Sequence, residues 1–218
     1  MDRPPIVCRQ VSGQLHDFGV DHPIKYRACE PLQLVQWWRG REHLPDERGV
    51  GYVGCDAAGL CFYVCLEDSD IYTQAQRDNE RLWTLGDVVE FFVKPGKLCQ
   101  DYWEIHVSPN DRIMDIHIPS RERLFKNLVP WEEVLAADSG SAKRVQVMAA
   151  DRKWAVELCI PWATFGCEGV PGPGTVWQFA VCRYNYSSDL ESLELSSTAR
   201  LTELDFHRYE EYTDIVFV

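Results

Sequence analysis

Short runs of alternating or wholly apolar residues, each closed by a cluster of turn residues, recur along most of this chain and restrict it to an all-β architecture. They cover Gly51 to Cys55, Leu60 to Leu66, Val88 to Val93, Tyr102 to Val107, Arg112 to Ile118, Arg144 to Ala149, Trp154 to Ile160 and Val176 to Tyr186. Each has the length of a strand, and β-branched and aromatic residues are frequent in them. Residues 56–59, 95–96, 108–111, 151–153 and 171–174 separate the runs and are rich in Asp, Asn, Gly, Pro and Ser, the residues that tight turns require. The apolar terminus, Tyr212 to Val218, is expected to close the sheet, because a chain that ends on apolar residues usually pairs them. The pattern predicts one antiparallel, jelly-roll-like β-sandwich over residues 1–218, with residues 1–45 partly irregular. Helical signals are sparse. Leu32 to Arg41 fits a short helix or a strand, Trp131 to Ala137 a short helix after Pro130, and Pro161 to Gly166 a single turn.

With 218 residues, 45% of them hydrophobic, the chain can bury one substantial core. No apolar run reaches bilayer length, so a soluble protein with no membrane partner is expected. The formal charge of −12, with basic residues scattered among acids, excludes a phosphate backbone as partner and favours neutral or cationic ligands. Nine cysteines form no pair of CxxC knuckles, so structural zinc is not expected. Cys61, Cys65, Cys159 and Cys182 lie in apolar runs, where free cysteine acts as a small hydrophobe. Together with the lack of an apolar leader after Met1, this favours a cytoplasmic location, or an extracellular or periplasmic one if residues before Met1 have been removed.

Chemistry is concentrated between Leu82 and Asp115. Trp83 precedes the acidic strand Asp87-Val-Val-Glu-Phe-Phe-Val93. Alternation puts Val88, Glu90 and Phe92 on one face and Asp87, Val89, Phe91 and Val93 on the other. In the next strand Tyr102, Glu104 and His106 share a face opposite Trp103, Ile105 and Val107. An acid among apolar neighbours must be hydrogen bonded, paired with an arginine such as Arg183, or line a cleft. The bland reading of the Tyr102 face is a solvated sheet surface. Paired carboxylates also raise glycoside hydrolysis, with Glu90 and Glu104 as acid and nucleophile or base. No nucleophile elbow, HExxH helix, phosphate loop or dinucleotide fingerprint is present, which favours a binding module. Trp103, Trp154 and Trp177 occupy inward positions, whereas Trp83 stands in a loop, where a large aromatic more often meets a ligand. Trp37 and Trp38 are adjacent, so on a strand one of them must be less buried.

Several segments carry a family resemblance: Trp83 through Phe92, the Tyr102 hairpin, Trp154 to Trp162, Gly174 to Arg183, and Phe206-His207 before the closing strand. As an ordered set over Gly51 to Val218 the chain resembles family 9 carbohydrate-binding modules. These are β-sandwiches related to the DOMON group of sugar- and haem-binding domains and are often attached to polysaccharide-degrading enzymes. The resemblance implies non-catalytic binding of a mono- or oligosaccharide, with Trp83 and Phe206 as the stacking pair and Glu90 as the acidic ligand. Phenylalanine stands at Phe206 where the family has tryptophan, and Glu104 and His106 stand where its sugar binders carry arginine and asparagine. Arg183 and Asn185, with Tyr184 and Tyr186, are expected at the rim of the same cleft. The resemblance also implies structural calcium on loop oxygens, for which the chain offers Asp68, Asp70 and Asp78. Haem is not expected: Met114, Met148 and the histidines are the candidate ligands, but Met114 shares its strand face with Ile116 and no CxxCH motif occurs. The departures at Phe206, Glu104 and His106 leave open a sandwich that has lost its ligand and serves a structural or partner-binding role.

Overall fold

A computed structural model of the chain describes residues 4–40, 43–135 and 138–218. Its strands are β1 (Ile6–Gln10), β2 (Leu32–Gln33), β3 (Gly49–Cys55), β4 (Gly59–Glu67), β5 (Val88–Lys94), β6 (Tyr102–Val107), β7 (Ile113–Ile118), β8 (Ala142–Met148), β9 (Lys153–Pro161), β10 (Val176–Tyr186), β11 (Leu193–Ser197) and β12 (Thr213–Phe217). Two short helices, α1 (Arg121–Phe125) and α2 (Trp131–Leu135), follow β7. The strands form a β-sandwich, as the alternation predicts. One sheet runs β7-β6-β5-β10-β12-β1 and the other β1-β3-β4-β9-β8, with β11 on β10 and β2 on β3. Strand β1 joins the two: Ile6 to Cys8 pair with β12, and Arg9 and Gln10 pair with β3. Both pairings are parallel, which departs from the wholly antiparallel expectation.

The core between the sheets is aromatic at its centre, where Phe62 of β4 meets Phe91 of β5 at 5.3 Å and Phe179 of β10 at 5.9 Å. Both sheets are also covered on their outer faces. Tyr26, Tyr52 and Tyr63 pack with Val11 and Leu15 over the second sheet, and Val88, Phe92, Tyr102, Met114 and Ile116 pack under loops over the first. The face of Tyr102, Glu104 and His106 is therefore buried, which overturns the solvated-surface reading. Every residue of β3, β5 and β6 is buried. At Gly54 a Cβ would strike Val11 Cγ1 at 2.6 Å and the Arg9 carbonyl at 2.9 Å, so glycine is what lets β1 approach β3.

The Leu32 to Arg41 segment divides into β2 and a 3-10 turn, Trp37–Arg39, with both tryptophans half-buried; Arg41 lies outside the described residues. Helix α2 starts at Trp131 as expected, while Ala136 and Ala137 lie outside the described residues. Strands β1 and β11 and helix α1 carry no strong sequence signal. Helix α1 is capped by Ser120, whose hydroxyl accepts from the Arg123 N–H. Among the described residues no helix is long and apolar enough to cross a membrane.

Cys61 and Cys159 are register partners on β4 and β9 and form a disulfide, which corrects the expectation that both are free. Cys65 and Cys182 are buried free thiols, as expected. Because nine cysteines are present and the bridge takes two, denatured unreduced protein should titrate seven thiols, rising to nine on reduction. Nine before reduction would show that the bridge is not formed.

Arg183 is fully buried between the sheets and does not pair with Glu90 as one reading proposed. Its Nη2 donates to Asp68 Oδ2 at 3.1 Å and to Asn185 Oδ1 at 2.6 Å, and its Nη1 donates to the Glu47 carbonyl at 3.1 Å. Trp154 Nε1 donates to the same Asp68 oxygen at 3.1 Å. Replacing Arg183 with methionine leaves Asp68 buried without its cation and should cost about 3–5 kcal/mol in urea unfolding. A loss under about 1 kcal/mol would show that this ion pair is not a stability determinant.

Candidate functional site

The register of β5, β6 and β10 assembles the polar centre of the first sheet's outer face. Glu90 lies opposite His106 on one side and Cys182 on the other, and Phe92 lies opposite Glu104. His106 has no exposed surface; its Nε2 is 2.6 Å from Glu104 Oε1 and its Nδ1 is 3.3 Å from Glu90 Oε1. The second contact lacks hydrogen-bond geometry, so Nδ1 is a buried group without a hydrogen bond among the described residues. Glu104 Oε2 lies 3.9 Å from His207 Nδ1, which in turn is 2.8 Å from the Tyr102 hydroxyl.

Burial sets the protonation of this centre. It pushes the Glu90 carboxyl up to about 8; His106 opposes the shift and Glu104 adds to it. Burial also works to raise Glu104, but His207 and His106 outweigh it and hold that carboxyl below the usual range. For His106 burial favours the neutral ring, yet Glu90 and Glu104 prevail and raise its pKa. Of the two acids, Glu104 is held toward its ionised form and Glu90 is driven toward its protonated form.

Over this centre lies a cavity of about 350 Å³. Trp83 enters from a 3-10 turn, Leu82–Thr84, and Trp131 from the first residue of α2; the two rings meet edge-on at 5.7 Å. The edge of Trp83 also meets His106 at 5.4 Å, and its carbonyl accepts from the Tyr186 hydroxyl at 2.8 Å. Gly86, with φ of 135°, holds the end of this loop against the Tyr72 carbonyl so closely that no Cβ fits. From the other side the loop between β11 and β12 supplies Leu204, Asp205, Phe206 and His207. That loop is pinned: the Tyr212 hydroxyl donates to the Phe206 carbonyl at 2.6 Å, and Arg121 Nη1 donates to the His207 carbonyl at 2.8 Å. Phe206 packs edge-on against Tyr184 at 5.6 Å and is tilted against Trp38 at 6.2 Å.

Trp83, Glu90, Glu104 and Phe206 thus come together around one cavity, with His106 buried behind the two acids. Arg183 and Asn185 do not join them. They stand on the opposite face of β10 from Cys182 and Tyr184, and this corrects their placement at the cleft. Tyr184 lines the cavity, whereas Tyr186 and Asn185 border an adjoining groove with Gln36 and Glu194, which shares Leu195 and Leu204 with the cavity. Trp131 and Asp205 were missed by the sequence reading. A tryptophan directly after Pro130 at a helix start was the available signal for the first, and Asp205 carried none.

Asp68, Asp70 and Asp78, the loop acids offered for calcium, each accept from donors of the protein. Asp68 is engaged by Arg183 and Trp154, Asp70 Oδ2 accepts from the Ser188 N–H at 3.0 Å, and Asp78 Oδ1 accepts from the Ile113 N–H at 3.1 Å. The haem candidates Met114 and Met148 lie on different sheets.

No protein-family model matches the sequence, and no curated protein matches it. Solved structures do. A candidate carbohydrate-binding protein from Bacteroides uniformis aligns with a TM-score of 0.66 at 17% identity, over 97% of this chain and 98% of its own. A family 9 carbohydrate-binding module from Caldicellulosiruptor kristjanssonii in complex with cellotriose aligns with a TM-score of 0.64 at 12% identity, over 97% and 92%. A family 9 module from the same organism in complex with glucose gives 0.65 at 13%, over 98% and 95%. The chain has the family 9 carbohydrate-binding-module fold. On that fold the chain carries the buried Glu90–His106–Glu104 group beneath its cavity.

Protonation of that group makes stability depend on pH. Glu90 and His106 both have native pKa values above their ordinary ones, so their contribution is present at low pH and is lost as pH rises through the native values. Melting temperature should fall between about pH 5 and about pH 8.5. Glu90→Gln, which keeps the protonated shape, should flatten that descent, leaving the share of Asp87, which burial and Asp68 push up to about 7. An unchanged slope in the variant would refute the protonated Glu90.

Proposed function

We propose that the protein is a non-catalytic carbohydrate-binding module that takes a small sugar or a glycan end into the cavity between Trp83 and Phe206. The observation that carries this reading is the convergence of Trp83, Trp131, Tyr184 and Phe206 on one cavity whose floor presents Glu90 and Glu104. Aromatic faces cover the C–H surface of a pyranose, while a protonated carboxyl donates to, and an ionised one accepts from, its hydroxyls. A cavity of about 350 Å³ falls at the lower end of small-molecule sites and suits one or two rings. The pinned Phe206 loop and the anchored Trp83 turn give the site its shape before any ligand arrives, which lowers the entropic cost of binding. That fold neighbours were solved with glucose and cellotriose supports the same class of ligand. A polysaccharide-degrading enzyme is the partner this reading suggests.

A glycosidase using Glu90 and Glu104 is disfavoured by their environment. Both acids face the same imidazole, and ligand atoms of Glu90, Glu104 and His106 all lie within 4.8 Å of one another. The two carboxyls are thus tied to one buried imidazole behind the cavity and stand slightly closer than the roughly 5–5.5 Å of a retaining pair. Purified protein should not turn over aryl glycosides.

The binding reading is tested by thermal shift with glucose, cellobiose and cellotriose. Ligand at a hundred times its Kd should raise the melting temperature by roughly 5–10 °C. Trp83→Ala should abolish that rise. A rise retained in full by the variant would place the sugar elsewhere.

A further inference from the structure

The polar lining of the cavity is one-sided. Glu90, Glu104, Asp205 and His207 face it, and no lysine or arginine does among the described residues. Arg81 approaches only the face of Trp131, at 5.1 Å, and is not part of the lining. All three carboxyls hold acceptor capacity for which no hydrogen bond is made among the described residues. Glu90 is 2% exposed and makes no hydrogen bond among the described residues, its nearest charged neighbour being His106 Nδ1 at 3.3 Å. Glu104 gives one oxygen to His106, while the other has only His207 Nδ1, at 3.9 Å, beyond hydrogen-bond distance. Asp205 uses Oδ1 to accept from the His207 N–H at 2.9 Å. A buried carboxyl without a donor is expensive, and a ligand that brings a donor relieves that cost.

The walls have the same preference. Trp83, Trp131, Tyr184 and Phe206 present π-systems, whose negative faces attract a cation and most strongly so for indole. Aromatic walls lined by three acids, with no lysine or arginine among the described lining residues, are complementary to a compact positive charge on an otherwise sugar-like body. The net charge of −12 adds attraction for a cation at long range.

We infer that the ligand of this cavity is a cationic amino sugar, a pyranose with a free amine, whose ammonium is held by Glu104 and Asp205, with Glu90 as a neutral acceptor beside them, while its ring packs on Trp83. This rests on the sugar-binding reading above and narrows it to a ligand class. Charge-assisted hydrogen bonds are about twice as strong as neutral ones, so the amine should discriminate against a hydroxyl at the same position.

Titration calorimetry of the full chain with glucosamine, glucose and N-acetylglucosamine at low salt separates the cases. Glucosamine should bind about tenfold more tightly than glucose, and acetylation should remove the advantage. Raising the salt should weaken glucosamine alone, because only that ligand is charged. Glu104→Gln, with Asp205→Asn as a second variant should the first fail to fold, should shrink the ratio between glucosamine and glucose. Glucose or N-acetylglucosamine binding as tightly as glucosamine would overturn the inference and leave the sugar-binding reading in place. Binding of none of the three, in protein that melts cooperatively, would overturn both.

Discussion

Burial of both faces of β5 is the constraint on which the rest of the structure depends. Val89, Phe91 and Val93 fill the core between the sheets, and Val88, Glu90 and Phe92 fill a second core beneath the loops. A strand with a period of two cannot shift by one residue without exchanging these sets, so the register against β6 and β10 is closely specified. That register also places His106 opposite Glu90, and so a buried imidazole beside two acids. The polar centre is thus a product of the same pairing that builds the hydrophobic core.

Charge is handled differently on the two sides of the first sheet. Between the sheets Arg183 meets Asp68, a carbonyl and Asn185 through its two Nη groups, while its Nε is left without a partner among the described residues. On the outer face the acids outnumber their donors: Glu90 has only an ill-aligned imidazole, and Glu104 keeps one oxygen toward the cavity. An ion pair closed off between the sheets acts as structure, whereas buried acids short of donors under an aromatic roof, beside a cavity, act as a site. The contrast separates Arg183, which the sequence alone groups with the ligand residues, from Glu90 and Glu104.

Strand positions and faces were legible wherever a segment alternated strongly. The assignments of Glu90, Glu104, His106 and Trp83 follow from period-two geometry and from the position of Trp83 outside the strands, and the structure places them around one cavity floor and wall. Arg183 and Asn185 were misplaced because alternation within β10 tells which residues share a face but not which face turns toward Glu90; Cys182 and Tyr184 take that side. Strand β11, with Glu194 between leucines and two serines at its end, carries too little apolar pattern to read, and β1 is defined by its parallel partners rather than by its own residues.

By itself the sequence determined the β-sandwich class, most strand boundaries and the pairing of acids with an imidazole on one face, since these follow from local periodicity and turn chemistry. Only the tertiary structure decided that this face is roofed over. The roof is built from a turn near residue 83, the start of α2 and the loop before β12, segments far apart along the chain with no shared pattern. Their meeting sets the burial, and the burial sets the protonation of Glu90, because desolvation depends on everything packed around a group and not on its neighbours in sequence.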